Sequence, residues 1–552
     1  MHCRIPFGLQ RRLNRNDSFD PVRDTSPQFT PQRPTFCHQD PLGSNLAHVP
    51  RTFFTRLHNK VVFRRISAPF WPSLLLTSIF QPKVLHRTVV AISRDLVVAC
   101  PLMKPLIVLN CVGLTPRHIG PDTPRLAALA KTGFLAPLDS TLPAVTTSAQ
   151  ATMLTGVDPS QHGIVANGWY FRDLNEILFW RQSESLVQAP AFWTGTNLKV
   201  LKHFWWYAMN TSAAWTVTPR PVYHHDGSKS PDFYAAPAHL KQLLLSRHKT
   251  FPLFNFWGPT ASCTSTRWIA ESFVTAFNET RPDVALCYLP HLDYDLQRFG
   301  PTGPHLSGNL AEIDYCVGLI LDGVALSNCN ILIVSEYGIS RVEQACYPNR
   351  ALRSAGLLEV SSNAAGELID TGTSRAFAVC DHQLAHIYVK NPRDIAQTRE
   401  CLSALPGVQA AHLADAHSAL GLNHSRSGEI ILLSEPHSWF AYDYWLDASR
   451  KPDFAQSVEI HKKPGYDPRE LFFDPSGGRF RAMKALIRKK LGLRYILDPC
   501  PLNDTLVKGS HGLPASNPQD GAVLISSAPE AENLAPRHQR DVARIARSLL
   551  GL

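Results

Sequence analysis

The first 104 residues contain no glutamate, and they carry 15 Lys and Arg against 5 Asp. The remainder of the chain holds 40 basic and 40 acidic residues. The formal net charge of +10 therefore belongs to the leader and not to the body of the protein. A neutral body without a basic stripe gives no footing for nucleic-acid binding. None of the twelve cysteines falls in a CxxC spacing, and Cys111, Cys287 and Cys329 sit in or beside apolar runs. That pattern fits buried free thiols of a reducing compartment and not a disulfide framework. Long apolar runs are missing too. The best leader stretch, around Phe70 to Phe80, is short and broken by Pro72, so no membrane span is expected. The leader also lacks the basic, apolar and small-residue layout of a signal peptide.

What the leader does have is Pro, Arg and Ser, and Gln28 to Pro41 reads as disordered. Two readings stand for residues 1–102. Being Arg-rich and acid-poor, they suit a mitochondrial transit peptide. Alternatively they are an upstream extension, because Met103-Lys104 directly precedes the first core strand. The body is then expected in the cytoplasm, or in mitochondria if the leader is a transit peptide. The expected organisation is a leader over 1–102, a core domain over 103–516 and a polar tail over 517–552, helical from Arg537. An aromatic-rich cap is expected at about 168–260, with Trp180, Trp193, Trp205, Trp206 and Trp215. Each tryptophan belongs either to the cap's own core or to a surface for a flat or apolar leaving group.

The body is organised around Thr141 to Asn167, TLPAVTTSAQATMLTGVDPSQHGIVAN. Pro143 stops the preceding strand. Thr146, Thr147 and Ser148 are N-cap residue types, Ala149 to Leu154 is helix-compatible, and Gly156 with Pro159 ends the helix. A hydroxyl at a helix N-terminus lies beside unpaired backbone N–H groups, a place suited to a phosphate or an alkoxide.

Around this block run buried-strand patterns. Pro105 to Val112 is apolar with Asn110 near its end, as in a parallel strand that delivers one side chain to a site. Asp283 to Leu289 leads into Pro290-His291-Leu292-Asp293. Asn330 to Ser335 ends in Glu336-Tyr337-Gly338. Helical spacing marks Ser265 to Phe277 and Leu306 to Leu326. Later come Asp381-His382, His461 and the segment Lys508-Gly-Ser-His511-Gly512. Strands alternating with helices imply an α/β layered fold with a largely parallel central sheet.

Pro143, Thr146, Thr155-Gly156, Pro159, His162-Gly163-Ile164 and Asn167 form one gapless pattern. It resembles the nucleophile block of the type I phosphodiesterase/nucleotide pyrophosphatase branch of the alkaline phosphatase superfamily, and is closer still to the phosphonoacetate hydrolases and to uncharacterised bacterial members of that branch. The resemblance implies an alkaline-phosphatase-like fold with an inserted cap. It implies Thr146 as nucleophile and Asn167 as the amide that donates to a phosphoryl oxygen. It also implies two zinc-like ions, held at positions matched here by Asn110, Asp293, Gln297, Glu336, Tyr337 and His511. Four of these depart from the family's residues: Asn110 and Glu336 stand for Asp, Gln297 and Tyr337 for His.

Two cations with so little neutralising charge would repel strongly. One tightly held ion is therefore expected, or an oxygen-preferring one such as Mn or Mg in place of Zn. His291, Asp381, His382 and His461 are the candidates to restore a second position. The implied activity is metal-dependent hydrolysis of a small phosphodiester, pyrophosphate or phosphonate. The alternative is a degenerate member that binds a phosphorylated metabolite without hydrolysing it, or that transfers its group in a biosynthetic reaction.

Overall fold

Six consecutive buried side chains place Leu106–Cys111 (β1) in the middle of the central sheet. The structure, a computed structural model, describes residues 103–225, 228–324 and 329–552. The expected leader lies outside the described residues. The central sheet takes Phe134–Leu138 (β2), Val200–His203 (β3), Trp215–Pro219 (β4) and Phe233–Ala236 (β5) from the first half of the body. Val284–Leu289 (β6) and Asn330–Val334 (β7) follow. A second sheet uses Ala376–Asp381 (β8), Leu384–Val389 (β9), Val408–His412 (β10) and Ile430–Ser434 (β11). The chain then returns to the first sheet with Ala522–Ser526 (β12).

The central order is β2-β12-β7-β1-β6-β3-β4-β5. Its middle is parallel from β7 through β1, β6 and β3 to β4. Both edges are antiparallel, with β12 against β7 and β2, and β5 against β4. The second sheet, in the order β8-β9-β11-β10, is antiparallel throughout.

Helices cover both faces of the central sheet, as a doubly buried parallel strand requires. Pro124–Thr132 (α1), Cys263–Thr280 (α3), His291–Phe299 (α4) and His305–Gly323 (α5) lie on one side. They pack on Ile107, Leu109 and Cys111 through Leu126, Phe273, Leu292, Ile313 and Val317. Thr146–Thr155 (α2) and Asp541–Leu549 (α6) lie on the other, where Met153 and Ile545 meet Leu106 and Val108. By the strand's period of two, Asn110 shares the face of Leu106 and Val108 and so points toward α2.

Two expected boundaries are corrected. Residues 200–236 are not cap: β3, β4 and β5 extend the central sheet, and Trp205 is fully buried in its core. What lies over the site instead is the second sheet, which comes from inside the expected core. Nor is 517–552 a polar tail. Ala522–Ser526 is a fully buried strand between β2 and β7, a short apolar run that its polar flanks disguise. The final helix begins at Asp541 and packs on α2. Among the described residues, no helix is long and apolar enough to cross a membrane.

Candidate active site

The site lies beyond the C-terminal ends of β1, β6 and β7, where parallel strands present loops and helix N-termini. Helix α2 is buried along its whole length from Thr146 to Leu154. It begins at Thr146 itself, with Val145 in the capping position, so the expected T-T-S cap is corrected. The hydroxyls of Thr147 and Ser148 donate instead to the carbonyls of Ala166 (2.9 Å) and Ile164 (2.8 Å). This folds the His162–Asn167 loop back along the helix. The Asn167 side-chain carbonyl then accepts from the Thr147 N–H at 3.1 Å. Gly156, at φ 73°, ends the helix in the left-handed conformation that glycine takes without strain.

Thr146, Asp293, Glu336 and His511 do converge. Thr146 Oγ1 lies 3.3 Å from the Tyr337 hydroxyl, which donates to Asp293 Oδ1 at 3.3 Å. Gln297 Nε2 donates to the other oxygen of Asp293 at 2.7 Å. His511 Nε2 is 3.7 Å from Asp293 Oδ1. Glu336 Oε1 accepts from Asn110 Nδ2 (2.6 Å) and Gln150 Nε2 (2.8 Å). Its Oε2 and the Asn110 side-chain oxygen are buried without a hydrogen-bond partner.

Burial dominates the electrostatics. It pushes the carboxyls of Asp293 and Glu336 up to about 7, against the hydrogen bonds each accepts. Burial also raises Tyr337 well above the usual phenol range, with Asp293 and Glu336 adding to it. The Tyr337 hydroxyl links Thr146 to Asp293. Burial pushes His511 down to about 3. Its Nδ1 lies 2.8 Å from the Ala144 carbonyl, so Nδ1 carries the proton and the Nε2 lone pair faces Asp293.

The four residues expected as compensating ligands separate. His382 joins the site. It is the first turn residue between β8 and β9, at φ 59°, a conformation that disfavours a side chain. Its ring packs on His511 (centroids 3.6 Å apart) and on Tyr466 (3.7 Å). Asp381 approaches as well, but both its oxygens hold Asn167: the backbone N–H at 2.7 Å and Nδ2 at 3.1 Å. It positions that amide.

His291 and His461 are corrections. A helix turns about 100° per residue, so His291 and Asp293 face nearly opposite sides of α4, whereas Gln297 shares the face of Asp293. His291 Nε2 lies 2.8 Å from Glu312. His461 Nδ1 is 3.3 Å from the Phe179 carbonyl and its ring lies against Tyr223, away from Thr146.

Three contributors escaped the sequence reading. Gln150, one helical turn beyond Thr146, bridges Glu336 and the Trp206 backbone N–H. The i, i+4 spacing could have exposed it. Tyr466 donates to Gln297 Oε1 at 3.0 Å and stacks on His382. Gln539, near the C-terminus, accepts from the Thr141 N–H and donates to the carbonyls of Ser335 and Glu336. It clamps the nucleophile loop to the end of β7. Gly512, at φ 124°, passes so close to the β8–β9 turn that a Cβ there would lie 2.8 Å from the Gln383 nitrogen. That close passage sets His511 beside His382.

The profile of the type I phosphodiesterase / nucleotide pyrophosphatase family matches residues 106–467, well over half the chain. The chain belongs to this family. An uncharacterised pyrophosphatase/phosphodiesterase of Schizosaccharomyces pombe is 25% identical over 233 residues, 40% of this chain and 41% of that relative. The chain thus matches less than half the length of that relative. Phosphonoacetate hydrolase from Sinorhizobium meliloti 1021, solved with phosphonoformate and with phosphonoacetate, gives TM-scores of 0.52 and 0.51 at 14% identity. These matches cover 81% of this chain and 96% of that one. They show a shared fold, the α/β sheet with helices on both faces.

Proposed function

We propose that this family member hydrolyses a small phosphodiester, pyrophosphate or phosphonate with Thr146 as nucleophile and with a divalent metal ion. One observation carries the reading: two buried carboxylates, Asp293 and Glu336, flank the Thr146 hydroxyl with no Lys or Arg paired to either among the described residues. Two other buried carboxylates do have such partners. Asp467 contacts Lys463 and Arg469, and Asp443 contacts Arg469, within one dry cluster. A buried carboxylate left without a cation is costly unless a cation or a proton supplies the charge.

The donor set fits a cation. The His511 lone pair and Asp293 Oδ1 face each other with no hydrogen between them, while Nδ1–H is anchored on a backbone carbonyl, the usual support of a metal-binding imidazole. Asp293 and His511 would hold the first ion, as Zn, Mn or Mg. The unpartnered oxygens of Asn110 and Glu336 offer a second, oxygen-rich position with a single negative charge. A bound divalent ion supplies positive charge to phosphoryl oxygens and favours the alkoxide form of an attacking hydroxyl.

The chain's own residues do the rest. Tyr337, fixed on Asp293, accepts a hydrogen bond from the Thr146 hydroxyl and orients its oxygen. Asn167 spends one amide hydrogen on Asp381 and has the other for a phosphoryl oxygen, at the N-terminal end of α2. Trp180, whose N–H donates to the Asn167 carbonyl, stands over this end of the site near Trp206 and Tyr466. This aromatic group suits a flat leaving group.

A second reading has its own support. Asn110, Gln150, Gln297 and Tyr337 already place hydrogens on the two carboxylates, as a binding protein without metal would. Hydrolysis of an aryl phosphodiester by the full chain, titrated with Zn, Mn and Mg, separates the two. Metal-dependent turnover that Thr146→Ala abolishes is the expected result. No turnover with any ion, together with metabolite binding, would establish the second reading.

A further inference from the structure

A second group of metal-ligating side chains lies on the far side of α4. Cys263 opens α3, His291 opens α4, and Glu312 and Cys316 sit one turn apart on α5. The ligand atoms of Cys263, His291 and Glu312 all lie within 4.8 Å of one another. Among the described residues this is the one such triad of His, Cys, Asp or Glu. Cys316 adjoins this triad, with its sulfur 3.7 Å from that of Cys263. Two thiolates on one tetrahedral zinc ion are separated by about 3.8 Å, given Zn–S bonds of about 2.3 Å.

His291 supplies an independent sign. Its side chain is 3% exposed, and neither ring nitrogen makes a hydrogen bond of acceptable geometry. Buried imidazoles are normally satisfied. Glu312 Oε2 approaches Nε2 to 2.8 Å, closer than two ligands of one ion sit, but the Glu312 side chain is 53% exposed and free to swing outward. The same exposure opens the group to solvent, while Cys316 is wholly buried.

We propose that Cys263, Cys316, His291 and Glu312 bind one zinc-class divalent cation at a structural site separate from the candidate active site. Two sulfurs, one imidazole and one carboxylate make a soft tetrahedral set of the kind that selects zinc. On binding, the two thiols ionise and release their protons to solvent, while the imidazole binds as the neutral base and the carboxylate as the anion. The ion would tie α3, α4 and α5 together at one point. That point lies two residues before Asp293, so it would also fix the start of the helix that carries Asp293 and Gln297.

Cobalt substitution of the full chain tests this, because among the described residues this is the one group that sets a sulfur beside other metal-ligating side chains. Under reducing conditions, one equivalent of Co2+ should give thiolate-to-cobalt charge-transfer absorption, and Zn2+ should displace it. The double variant C263S/C316S should lose the band and one equivalent of zinc. If that variant does not fold, alkylation of the wild type read by mass spectrometry serves instead. Zinc should then protect Cys263 and leave Cys401, a partly exposed thiol elsewhere, as reactive as before. Absence of both the charge-transfer band and the zinc protection would overturn the proposal. So would a Cys263–Cys316 disulfide in the native protein. These sulfur readouts are blind to Asp293, Glu336 and His511, so their failure is distinct from a failure of the hydrolase reading.

Discussion

Replacing Asp293 by Asn should stabilise the metal-free protein above neutrality and leave it unchanged in acid. The Asp293 carboxyl is pushed up from 3.8 to about 7, with burial the largest cause and Glu336 adding charge repulsion. The raised value sets the sign. Below about pH 4 the carboxyl is protonated in both the folded and the unfolded chain. Between about 4 and about 7 the folded chain keeps a proton that the unfolded chain has lost, so stability falls as pH rises, by about 1.4 kcal/mol per unit. The loss levels off above about pH 7 at an upper bound of about 4 kcal/mol. Asn carries no such charge and can still accept from Gln297. Urea unfolding of both proteins in chelator, from about pH 4 to about pH 8, should therefore give curves that meet in acid and diverge toward neutrality. Added zinc or manganese should reverse the order, stabilising the wild type more than the variant. Parallel curves in chelator, with no metal-induced shift in either protein, would refute the reasoning.

Restoring the family residues with Asn110→Asp, Gln297→His and Tyr337→His should raise bound metal toward two equivalents by elemental analysis. The unaltered chain should hold fewer at the active site. Asn167→Ala removes an amide donor aimed at a phosphoryl oxygen and should lower kcat by about 100-fold or more, as loss of one oxyanion donor does. Asp381→Asn should lower kcat less, because it turns Asn167 without removing it, and the double variant with Asn167→Ala should be no worse than Asn167→Ala alone. Gln539→Ala orphans the Thr141 N–H and should destabilise the protein by about 1–3 kcal/mol in urea unfolding. A Gln539→Glu variant, which keeps the acceptor, should recover part of that loss.

The block from Thr141 to Asn167 was legible because its chemistry is local: the hydroxyls, the helix and the returning loop lie within one turn-helix-loop unit. The strands β1, β6 and β7 were legible as continuous apolar runs with a polar residue at or just beyond the C-terminal end, since a strand buried on both faces leaves no other pattern. From these alone the α/β class could be anticipated, whereas the convergence of Thr146, Asp293, Glu336 and His511 was implied by the family resemblance. Local sequence could not say which way a helix rolls. That roll sends His291 to Cys263 and Glu312 and keeps Asp293 with Gln297. Nor could it show that Asp381 would spend both oxygens on Asn167, or that the turn bearing His382 would enter the site from a second sheet. Ala522–Ser526 and Gln539 depend on the tertiary structure entirely, because a short strand and one amide acquire their roles only from the neighbours they meet. Sequence determined which groups can donate, accept or carry charge. Packing decided which of them face one another, and the low-polarity interior then decided how strongly.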